Sequence, residues 1–130
     1  MPHLELSSDV SLYYETISNK VDHPWLLLIH PLMMDLSWVK GFTEQPDIKT
    51  TFNCVLFDLR LHGRTQSPLS SKLDRHTLAA DLAMGMQILK LPPVHVIAGQ
   101  ANTSEVALAL AATFPEKVLS MFLCGLGPDL

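Results

Sequence analysis

Val94-His95-Val96-Ile97-Ala98, then Gly99-Gln100-Ala101-Asn102-Thr103, then the Ala- and Leu-rich run from Ser104 to Phe114 decide how this chain is read. The first five residues form a short apolar run with glycine behind it and Pro92-Pro93 ahead, the pattern of a buried strand that carries His95 inside it. The third stretch has high helix propensity and is closed by Pro115. The five residues between them form a sharp strand-turn-helix junction, a place where a sheet can hold a nucleophile.

The same alternation extends in both directions. Trp25 to Ile29, Phe52 to Phe57 and Val118 to Cys124 are short, continuously apolar runs, as strands covered on two faces should be. Leu4-Glu5-Leu6 and Leu12-Tyr13-Tyr14, parted by Ser7-Ser8-Asp9, predict an antiparallel hairpin. From Asp74, an N-cap residue type, Leu78, Leu82, Met86 and Leu89 recur at helical spacing up to Pro92-Pro93. Ser37 to Lys49 predicts a helix interrupted at Gly41 and Pro46. The order β-β-β-α-β-α-β-α-β implies an α/β fold: a mainly parallel sheet, an antiparallel N-terminal hairpin, and helices on both faces. No repeat or linker divides residues 1–130, which read as a single domain.

Composition excludes several function classes. The chain has 130 residues, 48% hydrophobic and 17% charged, with a net charge of −4, so it is too apolar for disorder and offers no basic footprint for nucleic acid. No apolar run approaches the roughly 20 residues of a membrane span. Met1-Pro2-His3-Leu4-Glu5 lacks a signal-peptide pattern. Cys54 and Cys124 sit in apolar runs and read as buried thiols without zinc spacing. The expectation is a compact cytoplasmic domain without cofactor, metal, membrane or nucleic-acid partner. No G-x-G-x-x-G follows a strand and no Walker A motif is present.

Ligands of such sheets gather beyond the carboxyl ends of the strands. Those ends carry His30-Pro31-Leu32-Met33, Asp58-Leu59-Arg60-Leu61-His62-Gly63-Arg64, Gly99 to Thr103, and Gly125-Leu126-Gly127. Free backbone N–H groups after His30 could hold an oxyanion, or the segment could be a plain loop. Asp58, Arg60, His62 and Arg64 could make a hydrogen-bonded turn around Gly63, with His62 either a catalytic base or a structural histidine.

Taken together, these segments resemble the amino-terminal half of the α/β-hydrolase family of esterases, lipases and lactonases. Asp58 to Arg64 resembles its D-x-R-G-H-G-x-S turn. Ala101 to Leu123 is similar to its elbow helix and following strand, down to the Phe114-Pro115-Glu116-Lys117-Val118 join, and the likeness runs over roughly residues 4 to 126. The resemblance implies a G-x-S-x-G elbow at Gly99-Gln100-Ala101-Asn102-Thr103, oxyanion donors at the backbone of Leu32 and Asn102, and a small acyl or lactone ligand near His30, Leu32, Met33 and Asn102.

The departures from that pattern carry the functional expectation. Ala101 fills the nucleophile slot, and a methyl group cannot be activated by a base. Thr103 replaces the second glycine, Ser104 falls three residues late where capping is its commoner occupation, and Pro31 replaces the glycine after His30. The family's acid and histidine follow the elbow, whereas the last histidine here is His95 and Asp129 has no histidine after it. The expectation is a single domain without the family's C-terminal strands and lid, in which no residue is catalytic. Val118 to Cys124 then becomes an apolar edge without lysine or proline, open to a second copy or to a partner chain that completes a hydrolase.

Overall fold

The structure is a computed structural model and describes residues 2–69 and 73–125. The expectations placed on Leu126, Gly127 and Asp129 lie outside the described residues. In order, the elements are β1 (His3–Ser7), β2 (Val10–Ile17), β3 (Trp25–Ile29), α1 (Ser37–Lys40), α2 (Pro46–Thr51), β4 (Asn53–Phe57), α3 (Arg75–Ile88), β5 (Val94–Ala98), α4 (Ala101–Thr113) and β6 (Val118–Leu123). They build one six-stranded sheet in the order β1-β2-β4-β3-β5-β6. β1 and β2 form the hairpin, β2 joins β4 antiparallel, and β4, β3, β5 and β6 run parallel.

Residue alternation along the strands divides the core in two. Leu27, Ile29, Val55, Phe57, Val96 and Ala98 pack on one face against Leu78, Leu82 and Met86 of α3 and Val106, Ala107 and Leu110 of α4. Leu26, Leu28, Cys54 and Leu56 pack on the other, beneath Leu36, Val39 and Ile48. Helices therefore cover both faces, but unequally. Trp38 on α1 and Phe42 just after it stay 58% and 42% exposed, and Phe122 on β6 stays 66% exposed, so among the described residues the second face is not closed over β5 and β6.

Local rules account for the element ends. The Asp74 carboxylate accepts the Thr77 N–H at 2.8 Å, as an N-cap should. The segment after Ser37 breaks into two short helices around a 3₁₀ turn at Gly41–Glu44, with Pro46 opening the second. Four expectations change. The fourth helix starts at Ala101 rather than Ser104, so the elbow residues form its first turn. Cys124 is exposed, and His95 is only half-buried, because among the described residues β6 is the sheet edge and no element covers that face beside it. Phe52 caps α2 instead of opening β4, whose first residue, the fully buried Asn53, holds the 18–24 loop through the Lys20 N–H and C=O, both at 2.8 Å.

Leu27 lies at the centre of β3 with no exposed surface, whereas Val21 is 98% exposed. Leu27→Ala is expected to lower unfolding stability by about 2–5 kcal/mol in urea titrations followed by circular dichroism, with Val21→Ala as a neutral control.

Candidate functional site

The loops after β3 and β4 meet above the carboxyl ends of the parallel strands, and their buried backbone groups need partners that no strand supplies. Two histidines and one carboxylate supply them. His30, fully buried, has Nδ1 2.7 Å from the Pro31 carbonyl and accepts the Leu59 N–H on Nε2 at 3.0 Å. His62, 8% exposed, repeats the arrangement, with Nδ1 2.8 Å from the Arg60 carbonyl and Nε2 accepting the Met33 N–H at 3.0 Å. In each ring the bond to a carbonyl requires the proton on Nδ1, and the bond from an amide requires a lone pair on Nε2. Both rings are therefore neutral Nδ1–H tautomers, 5.2 Å apart between centroids. Burial, more than any other cause, holds His30 below its ordinary value; the neighbouring His62 lowers it further, while the Pro31 carbonyl works in the opposite direction.

Asp58, 2% exposed, accepts the Leu36 N–H at 2.7 Å and the Arg64 N–H at 2.8 Å, one on each oxygen. Gly63 makes this possible. Its φ is +51°, and a Cβ there would lie 2.2 Å from Asp58 Oδ2. Thr65 donates its hydroxyl to the Asp58 carbonyl and accepts the Tyr13 N–H, and Ser11 pairs with Gln66, so the turn is also sewn to β2.

The other charges of the turn leave it. Arg60 makes a bidentate pair with Asp81 of α3, both bonds at 2.9 Å, and Asp81 is 4% exposed. Arg64 donates to the Tyr13 hydroxyl at 2.6 Å, which in turn donates to Glu15 at 3.0 Å, and Glu15 pairs with Lys40. Sequence reasoning missed Asp81 and Tyr13 as partners. Asp81 was signalled by an acid three residues beyond Leu78, on the face that α3 buries; nothing local singled out Tyr13.

At the β5–α4 junction the Gly99 N–H donates to the Ile29 carbonyl at 2.9 Å, and a Cβ on Gly99 would lie 3.1 Å from both that oxygen and the Pro31 ring. Ala101 opens α4 behind Gln100. Thr103 and Ser104, both fully buried, direct their hydroxyls back to the Gln100 carbonyl at 3.1 Å, so Ser104 does not cap the helix as expected. Of the oxyanion candidates, Met33 has its N–H committed to His62 and its side chain 87% exposed. Asn102 lies in the first turn of α4, where an N–H has no acceptor within the helix. Leu32 is half-buried, and its N–H has no backbone acceptor among the described residues. No three His, Cys, Asp or Glu side chains gather as metal ligands among the described residues. No helix among them is long and apolar enough to cross a membrane.

Residues 24–129 match the family described as alpha/beta hydrolase fold. Among curated proteins no sequence matches. Solved structures do: a hydrolase from Pseudomonas aeruginosa PA01 at 22% identity and TM-score 0.82, with 97% of this chain and 47% of that one covered; a structure reported with carboxylesterases of the thaumarchaeon Nitrososphaera gargenis at 25% and 0.79, covering 94% and 44%; and the enol-lactonase of Burkholderia xenovorans LB400 at 20% and 0.78, covering 92% and 45%. The chain thus spans less than half the length of these structures.

Two measurements probe the turn. Arg60→Ala leaves the buried Asp81 carboxylate unpaired and is expected to cost about 3–5 kcal/mol, whereas Arg60→Met with Asp81→Leu recovers most of that loss in the same urea titration. The lowered pKa of His30 means that the unfolded chain binds a proton more readily than the folded one. That contribution to stability is complete above the ordinary value of 6.5 and is lost as pH falls below it. Between pH 6.5 and 5, stability is expected to fall by up to about 1.4 kcal/mol per pH unit. His30→Gln, although less stable at pH 7, is expected to lack this slope. Asp35, Glu15 and Asp74, whose values lie below their ordinary 3.8–4.5, act only at lower pH.

Proposed function

The chain belongs to the α/β-hydrolase family, and from that premise we propose that these residues form an esterase- or lactonase-like scaffold that does not itself perform serine acyl transfer. What supports this reading is the resemblance of Gly99-Gln100-Ala101-Asn102-Thr103 to the family's G-x-S-x-G elbow, which puts Ala101 in the slot of the attacking serine. Acyl transfer begins when a base removes a proton from an oxygen or sulfur that then attacks the carbonyl carbon. Position 101 has no such atom.

The neighbouring groups do not replace it. The hydroxyls of Thr103 and Ser104 are buried and bonded to a carbonyl, so an attack would first have to break the start of α4. Cys54 is a buried thiol pushed up to about 11, far from thiolate chemistry at neutral pH. As a base, neither His30 nor His62 has a free lone pair, since each Nε2 accepts a backbone N–H. Two donors of an oxyanion-binding turn, Leu32 and Asn102, remain. They would support binding of a small acyl or lactone ligand rather than its cleavage.

A second reading is favoured by the edge of the sheet. Among the described residues β6 pairs only with β5, and its Leu119 and Phe122 stay 60% and 66% exposed. An apolar edge unpaired among the described residues accepts a strand from another polypeptide, which in this reading brings the acid and the base of a working hydrolase whose nucleophile stays unassigned. Activity that appears only on mixing with such a partner, and disappears when β6 carries Leu119→Lys, distinguishes this reading from the first.

A fluorophosphonate probe is expected to leave the protein unlabelled, and p-nitrophenyl acetate to hydrolyse no faster than in buffer. Ala101→Ser alone is expected to produce no burst of p-nitrophenol, because it restores the oxygen without a base to activate it. Covalent labelling of the natural chain at any residue, or a stoichiometric burst from the variant, contradicts the proposal.

A further inference from the structure

We propose that His62 is an acid-operated latch: when its ring takes up a proton it releases the Met33 amide, and the loop 31–35 opens while the sheet beneath it stays folded. Both ring nitrogens are in use. Nδ1–H donates to the Arg60 carbonyl at 2.8 Å, and Nε2 accepts the Met33 N–H at 3.0 Å. A second proton therefore has one place to go, the Nε2 lone pair that holds Met33. With that proton added, two N–H groups face each other across 3.0 Å, so the bond and the charged ring exclude each other. His30 and Leu59 form a pair of the same chemistry, but both are buried, and a break there strands a donor and a charge away from water. The bond to Met33 is the one that can yield without disturbing the core.

The loop has defined limits. Among the described residues, the Met33 N–H to His62 is the one hydrogen bond that ties residues 31–35 to the turn after β4. Inside the loop the Met34 N–H reaches the Pro31 carbonyl at 3.2 Å. Its two ends stay fixed, because the Leu59 N–H holds the His30 ring and the Asp58 carboxylate holds the Leu36 N–H at 2.7 Å. Strain acts in the same direction. Met33 has φ +70° and Leu61, beside His62, has φ +66°, left-handed conformations that a side chain disfavours. The Ser67 hydroxyl accepts the Leu61 N–H at 3.0 Å and keeps that residue in place, so Met33 is the one that relaxes. Around the two histidines, Asp58 at the end of β4 and Asp35 in the loop favour a proton, and each ring opposes a charge on the other, 5.2 Å away between centroids. Arg60 and Arg64 of the same turn are drawn off to Asp81 and Tyr13, and residues 101–104 at the start of α4 carry no charge. One proton thus operates the latch. Leu32 lies in the same loop, so opening carries its amide away from Asn102 and frees an acyl or lactone ligand in acid; this consequence rests on the ligand site proposed above, whereas the latch does not.

Amide hydrogen exchange of the intact chain between pH 7.5 and 5, read from proton–nitrogen spectra, tests the latch without any ligand. The protection of the Met33 amide is expected to fall by up to about tenfold per pH unit on acidification, the dependence of an opening that takes up one proton. Low urea is expected to leave it unchanged, since a local opening exposes little surface, while the amides of Leu27, Val55 and Val96 lose protection in urea. His62→Gln, whose side chain can still accept from Met33 but binds no proton, is expected to remove the pH dependence at Met33, and His30→Gln to keep it. Exchange of Met33 in step with the sheet amides overturns the proposal, because the loop then opens only with the whole fold. So does constant protection of Met33 across this range, or a pH dependence that survives in His62→Gln. Should that variant fail to fold, the natural chain decides alone: the His62 ring and the Met33 amide resonances are expected to titrate with one midpoint, and two separate midpoints contradict the latch.

Discussion

Two backbone amides, of Leu59 and Met33, end on the Nε2 atoms of two buried histidines, and the top of this sheet is organised around that fact. A parallel strand satisfies its backbone along its length and then leaves the sheet with donors and acceptors still to be placed. Here the two loops that emerge from adjacent strands solve the problem for each other. His30 from the first accepts from the second, His62 from the second accepts from the first, and Asp58 adds the Leu36 and Arg64 amides. Imidazole suits this role because one ring offers a donor and an acceptor on opposite edges. Gly63 is required by the same arrangement, since no other residue leaves room for the carboxylate beneath it.

That arrangement bears directly on chemistry. Catalytic machinery needs spare capacity: a lone pair on a base, a hydroxyl free to rotate, an amide awaiting a developing charge. The clamp uses up both histidine lone pairs and the Met33 amide. The first turn of α4 uses up the hydroxyls of Thr103 and Ser104. Among the described residues near the junction, the amides of Leu32 and Asn102 have no backbone acceptor. The fold of the family is thus present over these residues, and the His30 and His62 rings and the Thr103 and Ser104 hydroxyls are engaged in holding it together.

Much of the fold was legible because it depends on local pattern. The apolar runs of β3, β4 and β5 mark the sheet, Asp74 marks the start of α3, and Gly41 and Pro46 mark where the first helical segment breaks. The exposure of His95, Phe122 and Cys124 was not legible. An apolar strand reads alike at the centre of a sheet and at its edge, and coverage is decided by elements distant in sequence. The candidate site was legible by residue type, in the Asp58 to Arg64 turn and the Gly99 to Thr103 junction. Its wiring was not: the partners of Arg60 and Arg64 come from α3 and β2, and the roles of His30 and His62 follow from distances that no spacing encodes.

The clamp is observable in solution. Long-range proton–nitrogen correlation spectra of the imidazole rings near pH 7.5 report which nitrogen carries the proton. Both His30 and His62 should show a protonated Nδ1 and a hydrogen-bonded, unprotonated Nε2. A proton on Nε2 of His62, with Nδ1 free, would contradict the account, because the Met33 amide would then be released and the ring could serve as a base.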